Sequence, residues 1–355
     1  MTNYLLAGGG TAGHVNPLLA LADALTSESA SNNVWALGTK EGLEQRLIPA
    51  RGYPLLTVER LPFPRRLGGY AFKFPAKFLQ AIRTCEGYLT EHKIDVVVGF
   101  GGYASAPAYL AARKLGVPIV VHEANALPGW ANKLGHRFSA ATGIAFKQTP
   151  LKGATYVGMP LRKEVEAICG GGDVSAARTF FKLDPKTITL LVTGGSLGAK
   201  RINDVIDESR SVLNAAGIQV LHIIGGKSDL AEVHSSDYVR INYCDRMDLA
   251  ILASDFAISR AGASTVSEFA AAGLPALYIP YPVGNGEQKL NVAELTSAGG
   301  GLIVADASFT SEYVAREVVQ LMSNSKQLQE MAAAAKSAGI KDGTQRLLTL
   351  VQGVL

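Results

Sequence analysis

The feature that most constrains the fold is a strand–glycine–helix opening that occurs twice. Residues 4–10 read YLLAGGG and residues 190–196 read LLVTGGS, so an apolar run ends in paired glycines in both halves of the chain. A stretch of helical periodicity follows each one. Because such an opening begins a Rossmann-like βα unit, two copies this far apart predict two Rossmann-like domains.

The rest of the chain repeats the same alternation. Short, almost wholly apolar runs lie at 4–7, 34–37, 95–98, 118–122, 188–192, 220–224, 256–258 and 276–279, and helical patterns lie between them at 17–25, 107–115, 200–216 and 265–272. Strands buried on both faces of a parallel sheet have this character. The expected fold class is therefore α/β, with two doubly wound parallel sheets.

The length of 355 residues suits two domains of about 150–180 residues each. Gly158 and Pro160 interrupt the pattern, so we place the linker at 157–162. The expected division is an N-terminal domain at 1–157, a C-terminal domain at 162–340 and a C-terminal helix within 341–355, whose apolar side carries Leu347, Leu348, Val351 and Leu355.

Composition excludes several classes of protein. The three cysteines form no CxxC pair, which argues against a disulfide framework or a zinc site and fits a reducing cytoplasm. No signal peptide is visible and no apolar run reaches 18 residues, so we expect a soluble or peripheral protein. The sequence contains no Asp-x-Asp and no cluster at metal-ligand spacing, so we expect no metal and no cofactor.

Positive charge is concentrated in the first half. Residues 1–157 hold 16 Lys/Arg against 9 Asp/Glu, whereas residues 158–355 hold 18 against 21. Residues 60–83 contain six Lys/Arg, four Phe and one Tyr, and no acid. Such a segment suits an anionic lipid surface, although single-stranded nucleic acid or plain solvent would accept it too. Its prolines and its Gly-Gly pair predict a loop and a short helix.

The first glycine loop, residues 8–14, reads GGGTAGH and matches GxGxxG between a strand and a helix. A dinucleotide site is disfavoured because the second strand ends LGTK, with no acid for a ribose hydroxyl. The glycines then either let a substrate approach the backbone or only pack the helix on the strand. His14 lies at the helix start, where the helix dipole favours a neutral imidazole, so it is either a general base or a capping residue.

Two loops in the second half have the form of phosphate sites. Residues 194–199 (GGSLGA) follow a strand, and residues 259–268 (SRAGASTVSE) follow another with small residues at the helix entry. Free N–H groups there suit a diphosphate. Glu268 either holds the two hydroxyls of a ribose or forms a capping box with Thr265.

Taken in order and over essentially the whole chain, these motifs resemble the MurG family of bacterial glycosyltransferases. The family's first glycine loop corresponds to residues 9–14, its second to 101–107 (GGYASAP), and its His-Glu-x-Asn stretch to 122–125. Its third loop corresponds to 194–199, its donor signature to 259–268 and its Gln-x-x-Asn pair to 288–291. This sequence has Ala12, Ala124, Ala261 and Glu287 where many members have glycine, glutamine, serine and glutamine.

The resemblance implies the GT-B fold, in which two Rossmann-like domains face a cleft. It also implies inverting transfer of N-acetylglucosamine from UDP-GlcNAc to the muramoyl 4-hydroxyl of polyprenyl-linked lipid I, which gives lipid II for peptidoglycan. Such an enzyme is peripheral at the cytoplasmic face of the cell membrane. Its partners are anionic membrane lipids and proteins of cell-wall synthesis and division, with no nucleic acid. The alternatives are a UDP-GlcNAc 2-epimerase, a transferase for a soluble acceptor, or a non-catalytic UDP-sugar-binding protein.

The resemblance assigns roles to individual residues. The catalytic base is expected to be His14, and the acceptor side to include Tyr103, Ser105 and Glu123, with Glu123 or a water as the alternative base. The residues expected to contact UDP-GlcNAc are Thr11, Ala12, Gly13, Asn125, Arg162, Ser196, Cys244, Ala263, Ser264, Thr265, Val266, Ser267, Glu268, Gln288 and Asn291. The residues expected to dock on the membrane are Arg65, Arg66, Phe72, Lys73, Phe74, Lys77 and Phe78.

Overall fold

The computed structural model describes residues 1–64, 69–195, 198–226, 228–283 and 285–355. The chain forms two compact units: one is Met1–Arg162 together with Asp342–Leu355, and the other is Lys163–Lys341. Each unit has its own predominantly parallel sheet flanked by helices. The prediction of an α/β protein with two Rossmann-like domains is confirmed.

The first unit contains a seven-stranded, all-parallel sheet. Its strands are β1 (Asn3–Gly8), β2 (Asn33–Thr39), β3 (Leu55–Val58), β4 (Val96–Gly101), β5 (Ile119–Glu123), β6 (Ala141–Ile144) and β7 (Thr155–Tyr156). Its helices are α1 (Ala12–Glu28), α2 (Glu44–Ala50), α3 (Gly69–Glu91), α4 (Ser105–Leu115), α5 (Trp130–His136) and the C-terminal helix Gly343–Gln352. The strand order is β3-β2-β1-β4-β5-β6-β7.

Alternation along the central strands fills a core on each face of this sheet. Leu6 lies in one cluster with residues of α1 and the C-terminal helix, and Leu5 lies in the other with residues of α3 and α4. Successive side chains of a strand point to opposite faces, so an unbroken apolar run supplies both layers. In the C-terminal helix, Leu347, Leu348 and Val351 are buried in the α1 layer, whereas Leu355 lies beyond the end of the helix and is exposed, so its expected place on the apolar side is wrong.

The second unit has the same plan with one antiparallel edge strand. Its strands are β8 (Thr189–Thr193), β9 (Gln219–Ile223), β10 (Val233–His234), β11 (Tyr238–Ile241), β12 (Phe256–Ser259), β13 (Ala276–Tyr278) and β14 (Gly301–Ile303). Its α-helices are α6 (Lys163–Ile168), α7 (Val174–Phe180), α8 (Lys200–Glu208), α9 (Arg210–Ala215), α10 (Met247–Leu252), α11 (Ala263–Ala272), α12 (Glu287–Asn291), α13 (Ala293–Ser297), α14 (Ser311–Tyr313), α15 (Val319–Met322) and α16 (Ser325–Ala338), with a 3-10 turn at Asp306–Ser308 and a π-helical segment at Val314–Val318. The strand order is β10-β11-β9-β8-β12-β13-β14, and only β10 among the described strands is antiparallel to its neighbour.

Each sheet has one switch point, where the strand order reverses. In the first unit it lies between β1 and β4, and in the second between β8 and β12. Ligands of open α/β sheets bind outside the carboxyl ends of the strands at such a point. The glycine loops at 8–14 and 101–102 therefore meet at one switch point. At the other, residues 194–195 after β8 meet the loop at 259–263 after β12.

The basic–aromatic segment forms a longer helix than the sequence predicts. In place of a short helix, α3 runs for 23 residues through Pro75. A proline removes one helical hydrogen bond, but Pro75 is exposed, so solvent can satisfy the carbonyl that is left. The apolar stripe of α3, with Ala81, Cys85 and Leu89 buried, packs on the sheet and stabilises the helix through that position.

None of the helices in the described parts of the chain combines the length and the apolar character needed to cross a bilayer.

Candidate active site

The loop after β1 fixes the protonation pattern of His14. His14 is the third residue of α1, and its Nδ1 lies 2.9 Å from the carbonyl oxygen of Gly9. A carbonyl can only accept, so Nδ1 carries the proton of the neutral ring and Nε2 keeps its lone pair. The Thr11 hydroxyl is a more distant neighbour of Nδ1, at 3.4 Å. His14 is therefore held in the tautomer that lets Nε2 accept a proton.

The loop after β4 packs directly on this arrangement. Gly101 and Gly102 both have positive φ, at 93° and 84°. A Cβ on Gly102 would lie 2.6 Å from the Gly9 carbonyl oxygen, and one on Gly101 would lie 3.2 Å from Nε2 of His14. Only glycine fits both the conformation and the space. Tyr103 follows and is exposed, so it stays a candidate for the acceptor side.

Ser105 is placed differently from the expectation that it faces the acceptor. Its side chain is fully buried, and its hydroxyl lies 2.8 Å from the carbonyl oxygens of both Ala7 and Gly101. A hydroxyl in this position ties the start of α4 to the ends of β1 and β4. The structure therefore gives Ser105 a part in holding the loops, with no surface for a substrate.

Glu123 is likewise buried and fully engaged. One carboxylate oxygen accepts from the backbone N–H of Asn125 at 2.9 Å, and the other accepts from the N–H of Gly129 and from Nδ2 of Asn132, both at 3.0 Å. Both carboxylate oxygens are therefore occupied by donors of the same stretch of chain. The contacts favour a role for Glu123 in shaping the loop that carries the half-buried Asn125, over one as the alternative base.

His122, the neighbouring residue of β5, is also part of the core. Its Nε2–H donates to the Gly158 carbonyl at 3.0 Å, and no part of the residue is exposed. Burial lowers its pKa to about 4, although the bond to Gly158 acts in the opposite direction. His122 is therefore neutral at physiological pH.

Four other residues of the first unit are expected to contact UDP-GlcNAc, and they lie at the start of α1 or at the end of the unit's main segment. Thr11 is exposed, and Ala12 and Gly13 are partly exposed at the start of α1. Arg162 is half-buried at the last position of Met1–Arg162. These residues keep the exposure that contact with a substrate requires, and their roles stay predictions.

In the second unit, α11 begins at Ala263 directly after the switch-point strand β12. The preceding residue, Gly262, is the N-cap and has no side chain to occupy the first N–H groups. Thr265 is already the third residue of this helix, so the alternative interpretation of Thr265 and Glu268 as a capping box is wrong. Among the described residues, the buried hydroxyl of Ser264 has no hydrogen-bond partner. Open N–H groups, a helix dipole and a spare hydroxyl suit a phosphate.

The second-unit residues expected to contact the nucleotide and the sugar differ in how far they are exposed. Glu268, one and a half turns into α11, is 6% exposed, and Cys244 is buried in the loop after β11. Asn291 is buried, and its Nδ2 donates to the Ala261 carbonyl at 3.2 Å, which fixes the entry to α11. Gln288 accepts from the Tyr281 N–H at 2.9 Å. Ser196 lies outside the described residues, while Val266 and Ser267 lie in α11.

The segment expected to dock on the membrane presents an aromatic surface at the start of α3. Phe72 is 81% exposed, Lys73 is exposed and Phe63 is 60% exposed. Phe74 and Phe78 instead stack on each other, with centroids 5.5 Å apart, and pack against the core. Lys77 forms an ion pair with Glu59. Arg65 and Arg66 lie outside the described residues.

Trp130 extends this surface and was not found from the sequence. It is 53% exposed, and its ring lies 5.5 Å from that of Phe63. The two residues are far apart in the chain, so only the fold brings them together. Single exposed aromatic residues are common, whereas larger apolar patches are typical of interaction sites, so Phe63 and Trp130 together stay a candidate docking surface.

Glu44 is a second residue that the sequence did not reveal. Its carboxylate is fully buried beneath the first glycine loop and accepts from the N–H of Gly10 at 2.8 Å. It also accepts from the N–H of Thr39 at 3.1 Å and from the Thr39 hydroxyl at 2.7 Å. The sequence signal was slight: an acid at the start of a helix, after a glycine-bounded strand.

The chain matches two models of glycosyltransferase family 28. Residues 4–144 match the family's N-terminal domain and residues 189–347 match its C-terminal domain. The two matches cover most of both units.

Curated relatives match along nearly the full length. A protein of Clavibacter sepedonicus named UDP-N-acetylglucosamine--N-acetylmuramyl-(pentapeptide) pyrophosphoryl-undecaprenol N-acetylglucosamine transferase is 52% identical, over 99% of this chain and 96% of its own. A Streptomyces coelicolor protein of the same name is 46% identical, over 98% of this chain and 97% of its own.

Solved structures agree. The crystal structure of Acinetobacter baumannii MurG aligns with a TM-score of 0.77 at 28% identity, over 99% of this chain and 100% of that one. The glycosyltransferase of kitacinnamycin aligns with a TM-score of 0.71 at only 15% identity, over 99% of both chains, and thus shows the fold alone. With the family models and relatives, these matches confirm the predicted fold, the predicted family and the prediction of a glycosyltransferase: the chain belongs to glycosyltransferase family 28 and, within it, to the MurG family.

Proposed function

We propose that this protein transfers N-acetylglucosamine from UDP-GlcNAc to the muramoyl 4-hydroxyl of lipid I, which gives lipid II for peptidoglycan synthesis. The relatives that are named for this reaction supply the substrates. The observation that carries the chemistry is the hydrogen bond from His14 Nδ1–H to Gly9, which leaves Nε2 able to accept a proton at a switch point.

His14 Nε2 takes the proton from the acceptor hydroxyl. The hydroxyl oxygen attacks the anomeric carbon of the donor sugar as the bond to UDP breaks, so one displacement inverts that carbon to a β-1,4 linkage. Two electrons from the oxygen form the new bond, and UDP departs with the electrons of the old one. Neither a metal nor a cofactor is required for this step in the proposal.

UDP-GlcNAc is held mainly by the second unit. The first turn of α11 offers N–H groups to a diphosphate, together with the Ser264 hydroxyl, which has no hydrogen-bond partner among the described residues. The dipole of this ten-residue helix stabilises the negative charge that develops as UDP leaves. Glu268 is proposed to accept from the ribose hydroxyls, with the uracil near Cys244. Thr11, Ala12, Gly13, Asn125 and Arg162 of the first unit are proposed to contact the donor as well, together with Ser196, Gln288 and Asn291.

The enzyme is proposed to act as a peripheral protein at the cytoplasmic face of the cell membrane, because its acceptor is anchored there. Phe63, Phe72 and Trp130 offer apolar surface, and Lys73 adds positive charge beside it. A basic residue close to an anionic bilayer contributes about 1 kcal/mol, and aromatic rings favour the interface. Proteins of cell-wall synthesis and division are the proposed partners at that site.

The test supplies purified protein with radiolabelled UDP-GlcNAc and a short-chain lipid I analogue, without added metal. We expect label in a disaccharide lipid and an equal amount of free UDP. Label recovered as the 2-epimer of the donor sugar would show an epimerase. UDP-sugar binding without any turnover would show a non-catalytic protein.

A further inference from the structure

The buried side chain of Glu44 is surrounded by glycines, which leave room for it. A Cβ on Gly9 or on Gly42 would lie 2.5 Å from a carboxylate oxygen of Glu44, and one on Gly38 would lie 2.7 Å from its Cγ. Glycine at these three positions therefore leaves the space that the buried Glu44 side chain fills. Together with the hydrogen bonds from Gly10 and Thr39, this makes a cradle built around one carboxylate.

The hydrogen bond to Glu44 and the hydrogen bond to His14 are made by the same peptide group. The N–H of Gly10 donates to Glu44 Oε2 at 2.8 Å, and the C=O of Gly9 accepts from His14 Nδ1–H at 2.9 Å. These N–H and C=O groups are the two ends of the Gly9–Gly10 peptide. A carboxylate at the N–H end polarises the peptide and makes the carbonyl oxygen a stronger acceptor, because hydrogen bonds in a chain reinforce one another.

We propose that Glu44 orients His14 through the Gly9–Gly10 peptide and holds it in the Nδ1–H tautomer. In the serine protease triad, a carboxylate does this by bonding directly to the imidazole N–H. Here one peptide group lies between the carboxylate and the ring. Glu44 is therefore a positioning residue for the base, and this inference rests on the proposed role of His14.

The arrangement has a consequence for the glycine loop itself. The Gly10 N–H is occupied, and the buried carboxylate of Glu44 lies beneath it, so a phosphate placed on this loop would meet a like charge where a free N–H would otherwise be. This loop therefore suits the uncharged sugar or the acceptor hydroxyl, and the diphosphate belongs elsewhere.

The test compares Glu44→Gln with Thr39→Val. Glu44→Gln keeps the shape and removes the charge, whereas Thr39→Val removes one hydrogen bond to Glu44 and keeps the charge. The tautomer of His14 is measured by 15N NMR of the substrate-free protein at about pH 9, where an ordinary imidazole is neutral. The chain has six histidines, and the signal missing from His14→Ala identifies His14. Steady-state kinetics with UDP-GlcNAc and the lipid I analogue give kcat and KM.

We expect the wild type and Thr39→Val to show Nδ1–H almost entirely, and Glu44→Gln to show a mixture of tautomers. In Glu44→Gln, kcat should fall on the order of tenfold to a hundredfold, and the KM for UDP-GlcNAc should stay within about twofold. This loss of kcat is smaller than the loss in a serine protease whose triad carboxylate is neutralised, because that carboxylate bonds directly to the imidazole. An Nε2–H tautomer in the wild type would overturn the proposal even if Glu44→Gln failed to fold. An unchanged tautomer and kcat in folded Glu44→Gln would overturn it as well. Failure of the proposed function would appear separately, as a wild type that makes no disaccharide lipid, because the NMR measurement needs no turnover.

Discussion

The two units share a doubly wound plan, apart from the antiparallel edge strand β10 of the second, but they offer different groups at their switch points. In the first unit, the Gly10 N–H is already bonded to a buried carboxylate, and the helix start carries an imidazole in a fixed tautomer. In the second unit, α11 starts after a glycine, and the buried Ser264 hydroxyl has no partner among the described residues. The first arrangement suits proton transfer and the second suits a phosphate. In the proposed mechanism, one backbone plan therefore carries two kinds of chemistry, and a few side chains decide which.

The largest expected effect separates the base from the donor site. His14→Ala should lower kcat at least about a hundredfold, because no group is left to take the proton, while the KM for UDP-GlcNAc stays within about twofold. The matched control is His234→Ala, an exposed histidine of the second unit, which should leave both constants unchanged. Full turnover by His14→Ala would show that His14 is not the base and would point to a water molecule instead. The assignment of proton transfer to the first unit would then be wrong.

A smaller effect is expected from a residue of the second unit. Glu268→Gln should raise the Kd for UDP about tenfold, because a neutral amide replaces the carboxylate that is proposed to accept from both ribose hydroxyls. The KM for the lipid I analogue should not change. Isothermal titration with UDP measures the effect, with Glu287→Gln at the start of α12 as the control. Unchanged affinity in Glu268→Gln would reduce this carboxylate to a structural role in α11.

The sequence predicted the parts of this comparison that depend on local pattern. Two strand–glycine openings and their order along the chain predict two doubly wound sheets, so the loops had to meet at the switch points. The environment of single side chains depends on tertiary contacts. Ser105 and Glu123 lie in two different motifs, and the resemblance assigned both residues to the acceptor side, yet both are buried and bonded to backbone groups. Glu44 gave almost no signal, because its partner Gly10 lies 34 residues away.

Helix ends were also hard to predict. The pattern over 200–216 reads as one helix, but the structure divides it into α8 and α9 at Ser209, whose hydroxyl donates to the Val205 carbonyl at 2.7 Å. Hydroxyls that bond back to a helical carbonyl often bend a helix, although Thr84 and Thr90 make the same bond within the continuous α3. In α3 the opposite happened, because packing of an apolar stripe carried the helix through a proline.

A moderate effect should distinguish the surfaces of the two units. Phe72→Ser should weaken binding to vesicles of anionic lipid about fivefold, which corresponds to about 1 kcal/mol, because an aromatic ring leaves the interface. The control is Phe180→Ser, an equally large exposed aromatic of the second unit, which should bind as the wild type does. Replacing Lys77 with serine should matter less than replacing Lys73, since Lys77 is paired with Glu59. Equal loss from both phenylalanine variants would point to a general loss of apolar surface with no docking face.

The smallest effect concerns how the two cores respond to acid. Burial lowers the pKa of His122 to about 4 in the first unit and that of His222 to about 3 in the second, with Arg240 adding to the shift at His222. A lowered folded-state pKa means that folding favours the neutral ring, so each contribution is full above the unfolded pKa of about 6.5 and is lost as the pH falls toward the folded value. Between about pH 7 and pH 6, each histidine should therefore reduce the free energy of unfolding by about 0.7 kcal/mol.

Urea unfolding measures this effect. Between pH 7 and pH 6, the free energy of unfolding of His122→Asn should fall by about 0.7 kcal/mol less than that of the wild type. For His222→Asn, the pH-dependent loss in the free energy of unfolding should be smaller than in the wild type by a similar amount. The free energy of unfolding itself should be lower than that of His122→Asn at both pH values. The reason is that His222 bonds to both Tyr238 and Asn203, whereas only Nε2 of His122 has a partner among the described residues. Equal pH dependence in the wild type and in His122→Asn would show that His122 becomes protonated without unfolding.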